Sequence, residues 1–365
     1  MIRSKNFVSM NAYMATGDKR EIKPPTLAAR TYKTEEFKPE KQQTLSRWWI
    51  IFGATLVLFL GVGFLGHSYF FSAPNGEGGL EQFVASMGSG QGEIVQKLKE
   101  GGFFKSTLGF SLALHGVRIE AGGYMISQSM SAWELARVLS ERPFLRWVSI
   151  PEGLRKEEIA DILNKTLSWE EGEKEKWITE YTTTSLDYIE GVYFPDTYLI
   201  PADEAPTKVA ERLRAKFNEQ FAPYAGETFR QNIRWQTLIR VASLVQREAA
   251  GESDMPLVAG IIWNRLLGKM KLQIDATLQY VRGNEKDGWW PKVRPEDKFI
   301  ESPYNTYLHE GLPPYPIANP GLSAIKAALF PEETNCMYYL HDASGAIHCA
   351  KTYAEHEKNI EEFLR

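Results

Sequence analysis

The chain has 365 residues and a formal charge of −4, enough for two compact domains plus an anchor, or for one large domain. The charge is uneven: residues 1–47 carry about ten Lys/Arg against about five Asp/Glu, so the remainder sums to roughly −9. A mildly acidic main body argues against nucleic acid as a partner, because neutralising phosphates needs clustered Lys/Arg.

In chain order, residues 1–47 show scattered charges, Pro24-Pro25 and no sustained apolar periodicity, and read as a disordered tail. From Trp48 to Leu65 no residue is charged, and the run extends to Phe71 with aromatic residues at both ends. About 20 apolar residues span a bilayer core, and amphipathic rings favour its interfaces. Residues 48–71 are therefore expected to form a single transmembrane helix. The basic leader keeps the N-terminus cytoplasmic and puts the rest outside the cytoplasmic (inner) membrane. A cleaved signal peptide would place a shorter apolar run nearer the N-terminus.

Residues 72–90, rich in Gly and Ser, read as a flexible linker. Residues 91–145 read as a small module ordered helix, helix, strand, helix, strand. Its last helix opens on a capping box, Ser131 with Glu134, and shows Trp133, Leu135, Val138 and Leu139 as a packed face. Residues 146–204 read as a bridging region with a helix over about 156–165. Residues 205–365 form the last domain, opened by helices over about 205–222 and 235–250. The fold class is α+β. Two cysteines, Cys336 and Cys349, flank an apparent hairpin with a Ser344-Gly345 turn. They can pair in an oxidising compartment or stay as two buried thiols.

The segment Trp235–Ala250 reads WQTLIRVASLVQREAA, with Gly251 as a suitable stop. At about 100° per residue with Val241 at zero, Leu244 falls at about −60°, Val245 at about +40° and Glu248 at about −20°. Glu248 thus lies within the apolar stripe, whereas Gln246 and Arg247 point elsewhere. Burial penalises a carboxylate and raises its pKa, and a proton retained near neutral pH suits a general acid for glycosidic cleavage. A buried structural ion pair is the alternative. A second helix over about 255–267 puts Asn264 on its apolar stripe. Leu272–Thr277 brings a second carboxylate, Asp275, and polar and aromatic loops follow at Ser302–Tyr307 and Gly311–Gly321. Rings that stack on sugars, beside amides and hydroxyls, suit a carbohydrate groove, although each segment alone is ordinary turn chemistry.

With these residues in place, the sequence resembles the endolytic murein transglycosylases, the YceG-like family. The resemblance is carried by Glu190-Gly191 with Phe194–Tyr198, by Ala242–Ala249, by Asn264-Arg265-Leu266, and by Leu272-Gln273 with Asp275 and Thr277. It continues through Tyr304–Tyr307 and Gly311–Pro314 to Pro320-Gly321. It implies a LysM-like domain over 91–145 and an α+β catalytic domain over 205–365. The implied activity is cleavage of the β-1,4 bond between N-acetylmuramic acid and N-acetylglucosamine within a strand, leaving 1,6-anhydro ends. Glu248 is the implied catalytic residue. Asn264, Gln273, Asp275, Thr277, Tyr304, Asn305, Thr306 and Tyr307 are the substrate-binding candidates. No metal or cofactor is expected. Glycan strands, the membrane and, by resemblance only, penicillin-binding proteins are the expected partners. Asp275 either stabilises positive charge or holds a loop, and the loop role is favoured. The chain departs from the family in two places. Gln246 stands where the first acid of an E-x-E pair is usual, and Ile347 and Cys349, around His348, stand where His and Phe are usual. A non-catalytic peptidoglycan-binding scaffold and a muramidase-type hydrolase are the competing readings.

Overall fold

The computed structural model describes residues 47–185, 187 and 189–364. The tail expected over 1–47 lies outside the described residues except for Arg47. Helix α1, Arg47–Phe71, contains a 24-residue stretch from Trp48 with mean hydropathy 2.2, long and apolar enough to cross a membrane.

The small module begins earlier than its sequence suggests. Strand β1 (Leu80–Ala85) falls inside the expected linker and pairs antiparallel with β2 (Gly122–Ser127). Only Ala85 of β1 is fully buried, so this edge strand carries little of the alternation by which strands are recognised. Between the strands lie α2 (Gln91–Glu100) and α3 (Thr107–Leu114). Then come α4 (Ala132–Ser140) and β3 (Leu145–Ser149). The Ser131–Glu134 capping box forms as expected, with Glu134 Oε2 accepting the Ser131 N–H at 2.8 Å. The packed face of α4 is shifted, however. Ala132, Leu135, Ala136 and Leu139 are buried while Trp133 is exposed, because spacings of three, four and seven share one face. Ile94, Leu98, Phe110, Ile126, Leu135 and Leu139 form this module's core.

Residues 146–204, expected to bridge, share a sheet with the small module and a hydrophobic core with the helices that follow. Strand β3 pairs antiparallel with β4 (Thr197–Pro201), which extends the sheet to β1-β2-β3-β4. Gly122 and Gly123 let β3 approach, since a Cβ on Gly123 would meet the Leu145 side chain at 2.6 Å. The connection holds α5 (Lys156–Leu167), the short α6 (Glu173–Lys176) and a wide turn at Trp177–Tyr181. Val148, Ile159, Leu163, Trp177, Tyr193 and Ile200 share one hydrophobic core with the helices that follow. Burying such side chains contributes about 1.5–3 kcal/mol each.

Those helices are α7 (Pro206–Arg230), α8 (Trp235–Glu248), α9 (Met255–Leu267), α10 (Asp275–Arg282) and α11 (Leu322–Leu329). Helix α8 packs on α9 and α11. Its stripe of Leu238, Val241, Ala242, Leu244 and Val245 is fully buried. A second sheet, β5 (Tyr338–His341) with β6 (Ile347–Ala350), is covered by α12 (Tyr353–Phe363). Cys336 and Cys349 form a disulfide beside this hairpin, which resolves the alternatives left open by the sequence.

Candidate active site

Helix α8 was expected to run to Ala250. It ends at Glu248, with Ala249 extended. The cause is Asp254, whose carboxylate accepts the N–H groups of Ala250 and Gly251, both at 3.0 Å. Glu248 therefore sits on the last turn of an amphipathic helix, neither fully buried nor exposed. Its Oε2 accepts a hydrogen bond from the Tyr339 hydroxyl at 2.6 Å. The Ala276 N–H, at the open N-terminus of α10, also donates to it. Burial pushes the Glu248 pKa up, and the nearby Asp275 charge adds to this. The Tyr339 and Ala276 hydrogen bonds and the Arg265 charge oppose the rise. The surroundings favour a carboxylic acid that keeps its proton above the usual carboxylate range.

Gln246 and Arg247 point away from Glu248, as the wheel places them. Gln246 Oε1 accepts the Gly321 N–H at 2.9 Å, and its side chain also bonds Glu152. The Arg247 guanidinium lies 3.7 Å above the Trp290 ring.

Of the expected binding residues, Asp275 and Tyr307 lie beside the acid. Asp275 opens α10 and is exposed, and its Oδ1 accepts the Tyr307 hydroxyl at 2.6 Å. Lys298 sits 4.8 Å over the Tyr307 ring. Gln273 is exposed, in a left-handed backbone conformation (φ 53°). Tyr304 packs 5.0 Å from Tyr280, and burial pushes its hydroxyl pKa up to about 12.

The other expected contacts make hydrogen bonds inside the protein. Thr277, Asn305 and Thr306 are at most 2% exposed. Asn305 donates to the carbonyls of Lys298 and Ile300 at 3.1 and 2.8 Å and accepts the Tyr307 N–H at 2.9 Å. Thr306 Oγ1 accepts the Ile274 N–H at 2.9 Å, and Thr277 Oγ1 donates to the Ile274 carbonyl at 2.6 Å. Two loops would otherwise carry unpaired buried amides, each costing about 1–3 kcal/mol. These side chains lock the loops and present no free polar atom to a ligand. Asn264 is half-buried and donates from its amide nitrogen to the carbonyls of Thr334 and Cys336 at 2.8 and 3.1 Å. It lines a cavity of about 700 Å³ with Trp263, Leu267 and Glu332 that does not include Glu248.

Two residues near the acid were not singled out as site residues from the sequence. Tyr339 sits in β5, which the sequence marks only as one strand of an apparent hairpin. Arg265 is 8% exposed and donates to the carbonyls of Met337, at 2.6 Å, and Leu272. A second acid with a raised pKa, Glu190, is buried. It accepts the Lys156 N–H at the start of α5 and the Asn319 side-chain N–H at 2.5 Å, so it clamps the α5 terminus to the Pro-rich loop. Gly191 beside it has φ 85° and leaves no room for a Cβ against Pro316 and Ile239.

The fold and site define a class: an α+β protein whose amphipathic helix α8 ends on one protonatable acid, faced by a hairpin tyrosine and a helix N-terminus. Residues 83–362 match the YceG-like family, and the chain belongs to it. Over 179 residues it is 36% identical to the endolytic murein transglycosylase of Bacillus subtilis, covering 48% of each chain. Over 316 residues it is 27% identical to the Streptococcus pneumoniae protein of the same name, covering 76% of this chain and 57% of that one. The chain spans about half the length of the curated relatives it matches. A crystal structure of a YceG-like protein from Listeria monocytogenes shares the fold, with a TM-score of 0.53 and 24% identity over 77% of this chain and 99% of that one.

Proposed function

We propose that this protein is an endolytic lytic transglycosylase of peptidoglycan, cutting the N-acetylmuramic acid–N-acetylglucosamine β-1,4 bond within glycan strands and so ending strand growth. The observation that carries the reading is Glu248, a single acid with a raised pKa at the end of α8. Protonated Glu248 gives its proton to the glycosidic oxygen as the C1–O bond breaks. The C6 hydroxyl of the same muramic residue adds to the oxocarbenium-like C1. Its proton passes to the Glu248 carboxylate, which restores the acid and closes the 1,6-anhydro ring. An internal nucleophile is already in place and needs no second carboxylate to activate water. Because Glu248 must be protonated, the rate falls as pH rises through its raised pKa.

Asp275 supports a second reading. A carboxylate close enough to raise the Glu248 pKa is what a muramidase-type hydrolase would use. A non-catalytic scaffold is the third. The full chain in detergent micelles, incubated with purified glycan strands across pH, separates them by product mass. Anhydro ends are expected; hydrated reducing ends point to the hydrolase, and intact strands at every pH to the scaffold.

The same reading assigns α1 as a single-pass anchor in the cytoplasmic membrane, with the N-terminus cytoplasmic. It assigns the strand–helix–helix–strand unit of β1, α2, α3 and β2 as a LysM-like glycan-binding module. The domain starting near residue 146 is then catalytic, with Gln273, Asp275, Tyr304 and Tyr307 lining the groove. Penicillin-binding proteins are the proposed synthase partners, reached through the shared strand substrate.

A further inference from the structure

The β5–β6 hairpin is tied to the catalytic helix by more connections than its two short strands require. Tyr339 stands opposite Cys349 in the strand register, and Cys349 is bonded to Cys336 just before β5. Side chains of α9 grip the same entry: Asn264 holds the Cys336 carbonyl and Arg265 the Met337 carbonyl. Two residues along β5, on the same face as Tyr339, His341 bonds Asp254 at 2.6 Å. Asp254 in turn holds the N–H groups of Ala250 and Gly251, two and three residues after Glu248. The strand and the end of α8 are thus joined twice: through His341 and Asp254, and through Tyr339 and Glu248 directly.

We propose that Tyr339 is the positioning residue of Glu248: its hydroxyl donates to Oε2 and so fixes the orientation of the carboxyl group that carries the transferable proton. The proposal deepens the transglycosylase reading and rests on Glu248 being its acid. Burial keeps the Tyr339 hydroxyl pKa well above its usual range, so the phenol remains a donor. The hydrogen bond also favours the Glu248 carboxylate, which must form briefly when the proton leaves. Asn264, expected to bind substrate, acts in this arrangement through the strand it anchors.

The charged and titratable groups around Glu248 are Tyr339 from β5, Asp275 from α10, Arg265 from α9, Tyr307 from the 302–307 loop, and Arg247. Tyr339→Phe changes only the first and keeps the ring. In the full chain in micelles, we expect kcat to fall about tenfold or more with KM within about twofold. Loss of a bond to the charged form raises the Glu248 pKa, so the alkaline limb of kcat should move up by about one pH unit. Carbon-13 carboxyl-labelled glutamate, with the Glu248 signal identified by its absence in Glu248→Gln, reads the same shift without substrate. An unchanged Glu248 titration overturns the proposal, as does an unchanged kcat and pH profile in an otherwise active protein. If the titration shifts while even the wild-type chain cleaves no glycan, the positioning role stands and the transglycosylase reading falls.

Discussion

Two walls meet at Glu248, and they are built in opposite ways. The loop wall, residues 272–277 and 302–307, is dense in Asn, Thr, Gln and Tyr and looks like a binding surface in the sequence. Much of that polarity turns inward, with Asn305, Thr306 and Thr277 consumed by backbone groups. The hairpin wall reads as an ordinary apolar strand pair, yet Tyr339 from it touches the acid. Irregular backbone needs side-chain partners because it lacks a ladder, whereas a strand pair satisfies its own amides and leaves its side chains available. Polar residue types in a long loop are therefore weak pointers to ligand contact.

The largest effect should come from the residue both walls serve. Glu248→Gln is expected to abolish cleavage, by about a thousandfold or more, in product-mass assays. It should not cost stability at neutral pH. An acid whose folded pKa is raised contributes full stability below its unfolded pKa and loses stability as pH rises toward the folded value. The variant should melt no lower than wild type at pH 8, with the gap closing toward pH 4; a lower melting point at pH 8 would contradict the burial argument.

The loop wall is tested next. Asn305→Ala leaves two part-buried carbonyls and the Tyr307 N–H without their partner, and should cost about 2 kcal/mol in urea unfolding. An unchanged midpoint would return Asn305 to the list of substrate contacts. Asp275→Asn divides the mechanisms. Removing its charge lowers the Glu248 pKa, so the alkaline limb should move down while kcat falls by less than about tenfold. A loss as deep as that of Glu248→Gln would make Asp275 a second catalytic carboxylate. The smallest effect belongs to Gln246→Ala, which touches neither wall. It should keep activity within about twofold and cost about 1 kcal/mol through the lost bond to the Gly321 N–H.

Much of the fold was legible in the sequence. The order of helices and strands from 91 to 149, the capping box at Ser131, the limits of α1 and the course of α8 and α9 follow from periodicity and caps, which are local. The family resemblance read from the motifs agrees with the match over 83–362. Strand β1 was missed because an exposed edge carries little alternation. The core that residues 146–204 share with α7 and α8 was not legible, because the apolar residues of α5 and the Trp177 turn show their partners only once those helices pack against them.

For the site, the sequence by itself determined Glu248 as an acid on an apolar helix face, with Gln246 and Arg247 turned away, because helical geometry fixes these directions from spacing alone. Only the tertiary structure decided what surrounds that acid. Tyr339 is 91 residues away along the chain, and it reaches Glu248 through a hairpin placed by a disulfide and by α9. Whether Asn264, Thr277, Asn305 and Thr306 face a ligand or the backbone depends on which chain segment lies opposite, and spacing carries no record of that.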